Sequence, residues 1–430
     1  MSTLAQTPPL GWNSWDCYGM SITEAEVFRA ADAMRERLHS VGYEYVVIDA
    51  GWFNAEPKAG IQKEAPALQV DDYGRLFPDV SRFPSTEPTR GFQELTRQLH
   101  ARGVKLGIHL MRGIPRIAVE RNTPVLGTKY RAQDIVNRDR ICGWNPEMYG
   151  VDMSKPGAQA YYDSVGELVA SWGIDFVKAD DMAAPYYADE IEGLSKALRR
   201  SGRDIVLSLS PGNGATPENH EHTRAHAQMR RISADLWDYW DDPRPEFSDV
   251  KGQFAIARAW QGKSGPGHWA DLDMLPIGNL SLRHEGGAPR NSRLSTDEKR
   301  TMLSLWSMFQ SPLMLGGDLA TLDELDLSLL TNRAVLEIDQ RGFNSREAYQ
   351  RGDVVVWTCE LPNSRRAVAV FNLGDSALSA ELSRSELGFS APLQGQELWT
   401  EEPVAWNDER LSLSVAPHGV QLLRLQAAAT

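Results

Sequence analysis

Residues 173–181, with the sequence GIDFVKADD, decide the predicted fold. The segment is short and mostly apolar, interrupted only by Asp175, and it includes Lys178, Asp180 and Asp181 at its end. Apolar runs with little alternation are typical of strands in a parallel sheet that helices cover on both faces. Charged side chains at the carboxyl end of such a strand are typical of barrel enzymes. The segment therefore predicts a barrel strand with chemistry at its end.

Similar runs recur along the chain, with helical patterns between them. We predict eight strands, at 10–14, 45–49, 105–110, 176–180, 205–210, 229–233, 267–269 and 312–315. The segments between them, such as 24–41, 159–172 and 295–309, have apolar residues at three- and four-residue spacing. A strand and a helix repeated eight times predict an α/β fold, the (β/α)8 barrel.

After about residue 343 the pattern changes to short β-rich runs, at 354–358, 367–372, 396–399 and 420–425. No helical pattern of ten residues separates these runs, so they predict a C-terminal antiparallel β-sandwich domain. The predicted domains are a catalytic barrel at 1–342 and the antiparallel β domain at 343–430.

Composition and net charge limit the classes of binding partner and the cellular compartment that we predict. The 430-residue chain has a net charge of −13, which argues against nucleic acid or an anionic membrane as a partner. No run approaches 18 apolar residues, and the start lacks the pattern of a signal peptide. Three cysteines suit a reducing compartment, so we predict a cytoplasmic protein. The sequence makes no prediction of the oligomeric state.

Tryptophan is frequent, with 13 residues, and several lie beside proposed strand ends. Aromatic faces pack against the C–H faces of sugar rings as they do against other apolar surface. Packing in the hydrophobic core accounts for some of these tryptophans. Their position near Asp49, Asp180, Asp235 and Asp273 predicts a carbohydrate pocket.

Seven motifs in order carry a resemblance to a known family. They read PPLGWNSW at 8–15, YVVID at 45–49, LGI at 106–108, VKAD at 177–180, RISAD at 231–235, GPGHWADLDML at 265–275 and QSPLM at 310–314. From residue 8 to about 340 the chain resembles glycoside hydrolase family 27, which contains α-galactosidases and α-N-acetylgalactosaminidases. The resemblance implies retaining hydrolysis of terminal α-galactosides, with a glycoside as partner and without metal or cofactor.

The resemblance also implies the roles of two aspartates. Asp180 would be the nucleophile and Asp235 the acid/base of a double displacement, at the ends of the fourth and sixth strands. Lys178 is expected to keep Asp180 ionised, since a nearby cation lowers the pKa of a carboxylate. Asp235 has to hold a proton, so we expect an apolar or like-charged setting, with Trp237 as a wall.

Further residues carry over as sugar contacts. We expect Trp15 to form a wall of the pocket and Asp49 to accept hydrogen bonds from ring hydroxyls. Lys178 and Arg231 would donate to these hydroxyls. The other predicted substrate-binding residues are Trp52, His109, Cys142, Ser210 and Asp273. Support of the seventh loop and a helix cap remain equal alternatives for Asp273.

The chain departs from the family pattern at three places, and two of them bear on the substrate. Many α-galactosidases have two consecutive aspartates after the second strand, where this chain has Asp49 and Ala50. One charge-assisted contact, worth about 1.5–3 kcal/mol, is therefore missing unless another residue replaces it. Ser210 stands where a bulky residue is common, which leaves room for a 2-acetamido group. Cys142 matches a cysteine that is usually in a disulfide, but Met182 is at the partner position, so no bridge is expected.

Three alternatives to α-galactosidase activity follow. α-N-Acetylgalactosaminidase activity stays open because Ser210 leaves room for the acetamido group. β-L-Arabinopyranosidase activity stays open because a pentopyranose lacks the hydroxymethyl group that a carboxylate at position 50 would hold. A catalytically silent carbohydrate-binding barrel is the alternative from another class of protein. The presence of both Asp180 and Asp235 favours the enzyme.

One histidine-rich segment has no place in this scheme. His222 and His226 are at i and i+4 if the segment is helical, a spacing that can bind zinc, and His220 lies beside them. The order His-Glu-x-x-His is not intact here. A polar loop or helix is therefore favoured over a set of metal ligands.

Overall fold

A computed structural model describes residues 4–55, 68–86, 90–284 and 287–428. Its central sheet has eight parallel strands: β1 Leu10–Asn13, β2 Tyr45–Ile48, β3 Lys105–Met111, β4 Phe176–Asp180, β5 Val206–Leu209, β6 Met229–Arg231, β7 Trp269–Asp271 and β8 Leu313–Leu315. The strands pair in chain order from β1 to β7, and β8 pairs with β1. Between β7 and β8, the backbone N–H of Leu275 donates to the carbonyl of Met314 at 2.8 Å. The predicted (β/α)8 barrel is confirmed.

Helices follow the strands. Their bounds are α1 Glu24–Arg37, α2 Gln93–Ala101, α3 Ala158–Ser171, α4 Ala188–Arg200, α5 His220–His226, α6 Gln253–Trp260, α7 Thr296–Phe309, α8 Glu324–Leu330 and α9 Arg333–Arg341. Shorter helices and strands lie in the loops, at Trp15–Tyr18, Ile114–Pro115, Arg116–Arg121, Ala132–Ile135, Val136–Asn137, Met148–Val151, Asn279–Leu280 and Arg290–Asn291. Across the described ranges, no helix combines the length and the apolar character that a membrane crossing needs.

Strand β7 begins two residues later than predicted. Gly265 and His268 exchange two backbone hydrogen bonds of 2.9 Å, and Gly267 has a φ of 90°, a conformation that favours glycine. A tight turn therefore occupies the start of the predicted strand. The shift brings Asp271 to the last position of β7, at the same end of the barrel as Asp180.

The chain ends in an antiparallel β-sandwich, as predicted. Its strands are β9 Phe343–Arg351, β10 Val354–Leu361, β11 Arg365–Asn372, β12 Leu378–Ser383, β13 Leu393–Glu397, β14 Pro403–Trp406, β15 Arg410–Val415 and β16 Val420–Ala427. Six form one sheet, in the order β9-β10-β11-β16-β13-β14, and β12 pairs with β15. Val368 and Leu382 belong to the apolar core between the two sheets. The ring of Phe371 lies 4.9 Å from that of Phe254 on α6, which packs the sandwich on the barrel.

Candidate active site

The carboxylate of Asp180, at the end of β4, is held from two sides. Its Oδ1 accepts a hydrogen bond from the backbone N–H of Asp181 at 2.7 Å, and its Oδ2 lies 3.1 Å from Nε2 of His109 on β3. Burial alone would raise the pKa of Asp180. The hydrogen bond and charge of His109, with the charge of Lys178, outweigh burial and hold this pKa well below its ordinary value. Asp180 therefore stays ionised, as the predicted nucleophile must.

Asp49, directly after β2, shares a lysine with Asp180. Its Oδ2 accepts hydrogen bonds from Nζ of Lys178 and Nδ2 of Asn13, both at 2.7 Å. Burial raises the pKa of Asp49, but the charges of Lys178 and His109 outweigh burial and lower it. Burial lowers the pKa of Lys178, and the two carboxylates more than reverse this effect. The three groups form a charged row that contains both hydrogen-bond donors and acceptors.

Asp235 lies after β6 and is bridged by Arg231 to Asp273. Nη2 of Arg231 donates to Oδ1 of Asp235 at 2.5 Å, and its Nη1 donates to Oδ1 of Asp273 at 2.7 Å. The Asp235 side chain is 48% exposed, whereas those of Arg231 and Asp273 are 4% and 3% exposed. The carboxyl group of Asp235 thus reaches solvent above two buried partners. Its predicted apolar or like-charged setting is only partly right: Asp273 is a like charge nearby, but a cation is in direct contact.

Two tryptophans and a histidine form a wall near these carboxylates. The ring of His284 lies 5.0 Å from that of Trp15 and 5.1 Å from that of Trp237. Burial lowers the pKa of His284 to about 4, although the charges of Asp235 and Asp49 raise it. A neutral imidazole therefore lies between the two indoles at neutral pH.

Comparison with known proteins identifies the family. A sequence profile described as α-galactosidase A matches residues 7–119 and 148–341, and one for the α-galactosidase C-terminal β-sandwich domain matches residues 351–425. This chain belongs to glycoside hydrolase family 27. α-Galactosidase 2 of Arabidopsis thaliana is 27% identical over 432 residues, which cover 98% of this chain and 90% of that protein. The α-N-acetylgalactosaminidase of Gallus gallus is 27% identical, with coverage of 97% and 93%.

A solved structure from the family is more similar. The β-L-arabinopyranosidase of Geobacillus stearothermophilus is 43% identical, with a TM-score of 0.94 and coverage of 99% of this chain and 97% of that chain. A variant of that enzyme in complex with arabinose has a TM-score of 0.95. The chain is thus a glycoside hydrolase of the α-galactosidase family.

In this glycoside hydrolase, a buried ion network holds the residue after Asp180. Nη2 of Arg112 donates to Oδ2 of Asp181 at 2.7 Å, and its Nη1 donates to Oε1 of Glu190 at 2.8 Å. The backbone N–H of Arg112 donates to the carbonyl of Asp180 at 3.0 Å. The carboxylate of Asp181 is therefore engaged by Arg112.

Three of the residues predicted to contact the sugar are buried: Trp52, Cys142 and Ser210. Trp52 is fully buried and its indole N–H donates to the carbonyl of His109 at 2.8 Å, so its predicted sugar contact is wrong. The carbonyl of Ser210 accepts the N–H of Met182 at 3.1 Å, which ties down the loop after β4. Cys142 is a buried free thiol, and burial raises its pKa to about 12. The predicted absence of a disulfide is confirmed.

Asp273 supports the loop that carries Asp235. Its Oδ2 accepts the backbone N–H of Leu236 at 2.7 Å, while its Oδ1 takes the bond from Arg231. Burial raises the pKa of Asp273, and the charge of Arg231 opposes this rise. Asp273 therefore supports the loop after β6, whereas the predicted alternatives were support of the seventh loop and a helix cap.

We expect Asp271→Asn to change how stability depends on pH. Burial, with the charge of Asp273, raises the pKa of Asp271 to about 7. A carboxyl group with a raised pKa in the folded state contributes stability at low pH, which is lost as pH rises from about 4 toward 7. Asparagine keeps an acceptor for the N–H of Asp273, at 2.9 Å, without this loss.

The free energy of unfolding of the variant, minus that of the wild type, should therefore rise by on the order of 2–4 kcal/mol when the pH is raised from about 4.5 to about 8. Urea unfolding of both proteins at the two pH values measures this difference. A difference that does not change with pH would contradict the assignment of Asp271 as the titrating group.

Proposed function

We propose that this chain is a retaining exo-glycosidase for galactose-configured pyranosides, with Asp180 as nucleophile and Asp235 as acid/base. The contrast between the two carboxylates carries the proposal. Asp180 is buried and kept ionised by His109 and Lys178, whereas Asp235 is half-exposed, where a leaving group and water can reach it. Retaining glycosidases need one ionised carboxylate as nucleophile and a second carboxyl group that exchanges a proton with the leaving group and with water.

The reaction would proceed in two displacements. The carboxylate of Asp180 attacks the anomeric carbon and forms an ester bond to the sugar, while the acid form of Asp235 gives its proton to the departing glycosidic oxygen. In the second step the carboxylate of Asp235 takes a proton from water, whose oxygen attacks the anomeric carbon and releases Asp180. Arg231 would hold Asp235 in position as its carboxyl group loses and regains the proton.

We propose β-L-arabinopyranoside as the preferred glycone. This sugar has the ring configuration of an α-D-galactoside but lacks the hydroxymethyl group. Ala50 provides no carboxylate for a 6-hydroxyl, whereas Asp49 stays available to the ring hydroxyls. The 43% identity to a family 27 β-L-arabinopyranosidase supports this ranking. α-Galactoside, which the sequence placed first, is the second candidate.

A panel of aryl glycosides tests both parts of the proposal. We expect the highest kcat/KM with the β-L-arabinopyranoside, lower values with the α-galactoside and α-N-acetylgalactosaminide, and none with the α-glucoside. Proton NMR of the first product formed should show retained anomeric configuration. An inverted product would contradict the mechanism. A folded protein that turns over none of the four would support the silent carbohydrate-binding barrel instead.

Substitution of Ala50 tests the choice of glycone. We expect Ala50→Asp to raise the ratio of kcat/KM for α-galactoside to that for β-L-arabinopyranoside by about 10- to 150-fold, which corresponds to one charge-assisted hydrogen bond. Ala50→Asn is the matched control, because it adds similar volume without charge and should change the ratio less. Equal ratios in the wild type and both variants would contradict a role for position 50.

A further inference from the structure

Helices α4 and α5 carry a cluster of metal-ligating side chains outside the active site. Glu192 on α4 and His222 and His226 on α5 each offer one ligand atom, and these atoms lie within 4.8 Å of one another. Nε2 of His222 is 3.1 Å from Oε1 of Glu192, and the two imidazole rings are 4.6 Å apart. We propose that these three residues bind one Zn²⁺ ion.

The chemistry and spacing of the ligand atoms suit zinc. Two imidazoles and one carboxylate are a set that binds tetrahedral zinc and leaves a fourth position for water. Ligand atoms around such an ion lie roughly 3.3–3.5 Å apart, since each is about 2.0–2.2 Å from the metal. The ligand atoms, which lie within 4.8 Å of one another, therefore have to approach each other by at most about 1.5 Å. Glu192, whose side chain is 57% exposed, can make this movement.

The surroundings of the two histidines also favour a metal. The hydroxyl of Tyr186 and Nδ1 of His222 form a hydrogen bond of 2.5 Å, which leaves Nε2 directed at Glu192. Zinc-bound histidines commonly have such an oxygen partner on the second ring nitrogen. Nδ1 of His226 is buried and has no hydrogen-bond partner within the described part of the chain. Leaving a buried polar nitrogen unpaired is unfavourable, and a metal bond would remove that penalty.

An ion pair between His222 and Glu192 alone would not explain the position of His226. His222 and His226 are one helical turn apart on α5, so both side chains reach the same side of the helix. The charge of Arg199 near His226 opposes a cation, while the carboxylate of Glu192 favours one. The sequence pattern pointed away from zinc because the third ligand comes from another helix, 30 residues earlier in the chain.

The proposed ion would join three parts of the barrel wall. It would link α4 to α5, and through the bond between His222 and Tyr186 it would stiffen the loop that follows β4 and Asp180. The ion would keep one open position and would lie outside the active site, so we assign it no part in the proposed hydrolysis.

Titration calorimetry of the chelator-treated full chain with ZnCl2 tests the site. We expect one zinc ion per chain, no binding by His222→Ala or His226→Ala, and weaker binding by Glu192→Gln. Tyr186→Phe should lower the zinc affinity by about 10- to 100-fold, because it removes only the partner that orients His222. Co²⁺ in place of zinc should give the intense visible absorption of a tetrahedral site.

Two variants serve as controls. Glu221→Gln changes an 82% exposed carboxylate on the same helix, and His39→Ala changes an exposed histidine elsewhere, so both should bind zinc as the wild type does. Equal binding by all variants would place the ion elsewhere and overturn the proposal, as would no binding by the folded wild type. If the alanine variants fail to fold, Glu192→Gln and Tyr186→Phe decide the question.

Discussion

Asp180→Ala is expected to lower kcat/KM for an aryl β-L-arabinopyranoside or α-galactoside by on the order of 10⁴- to 10⁶-fold. The substitution removes the atom that would bond to the sugar, and neighbouring carboxylates are already engaged. Asp49 is bound to Lys178 and Asp181 to Arg112, so neither is available to replace it. Steady-state rates, with circular dichroism to verify folding, measure the loss.

An external nucleophile separates a missing nucleophile from a damaged site. Azide fits in the space left by the carboxylate, so it should restore part of the activity of Asp180→Ala and yield a glycosyl azide of inverted configuration. Asp181→Asn is the matched control, since it changes the adjacent aspartate and should retain activity within about tenfold, with its cost falling on stability. A silent Asp181→Asn beside an active Asp180→Ala would reverse the assignment.

The loss of activity in Asp235→Ala is expected to depend on the leaving group. The loss should be larger for a leaving group that must be protonated in order to depart. For a poor leaving group such as an alkyl glycoside, the expected loss in kcat/KM is about 10²- to 10⁴-fold. For a dinitrophenyl glycoside the first step should be nearly unchanged, because the phenolate departs without protonation. The second step would still lack its base, so a burst of dinitrophenol followed by slow turnover is expected.

Pre-steady-state absorbance measurements with both substrates give this comparison. Asp241→Ala is the control, because Asp241 is a 70% exposed aspartate in the same loop and pairs only loosely with Lys251, at 3.6 Å. Equal losses on both leaving groups would mean that Asp235 acts by orienting Arg231 rather than by transferring protons.

The barrel could be predicted because its signals are local. Apolar runs mark all eight strands within two residues of their observed bounds, and the shift is largest at β7, where both bounds move by two residues. There the run Gly265–His268 forms a turn, since backbone hydrogen bonds between Gly265 and His268 compete with pairing to β6. An apolar pattern does not reveal which backbone partner a residue finds.

The surroundings of the candidate site were less accessible from the sequence. His284 lies outside every motif, and only the folded chain brings it between Trp15 and Trp237. Trp52 follows the motif at 45–49 by three residues, yet its indole is fully buried and donates to the carbonyl of His109 on β3. Proximity to a strand end predicts the neighbourhood of a side chain but not the direction in which it points.

The sequence was enough to predict the family and the barrel followed by a β-sandwich, and to propose Asp180 and Asp235 as the catalytic carboxylates, because motif order and apolar periodicity are properties of the linear chain. Only the tertiary structure decided the pairing of charges. Lys178 bonds to Asp49, Arg231 joins Asp235 to Asp273, and α4 supplies a carboxylate to the histidines of α5. Such pairings depend on distances between segments far apart in the chain, and electrostatic and metal-ligand interactions depend on those distances.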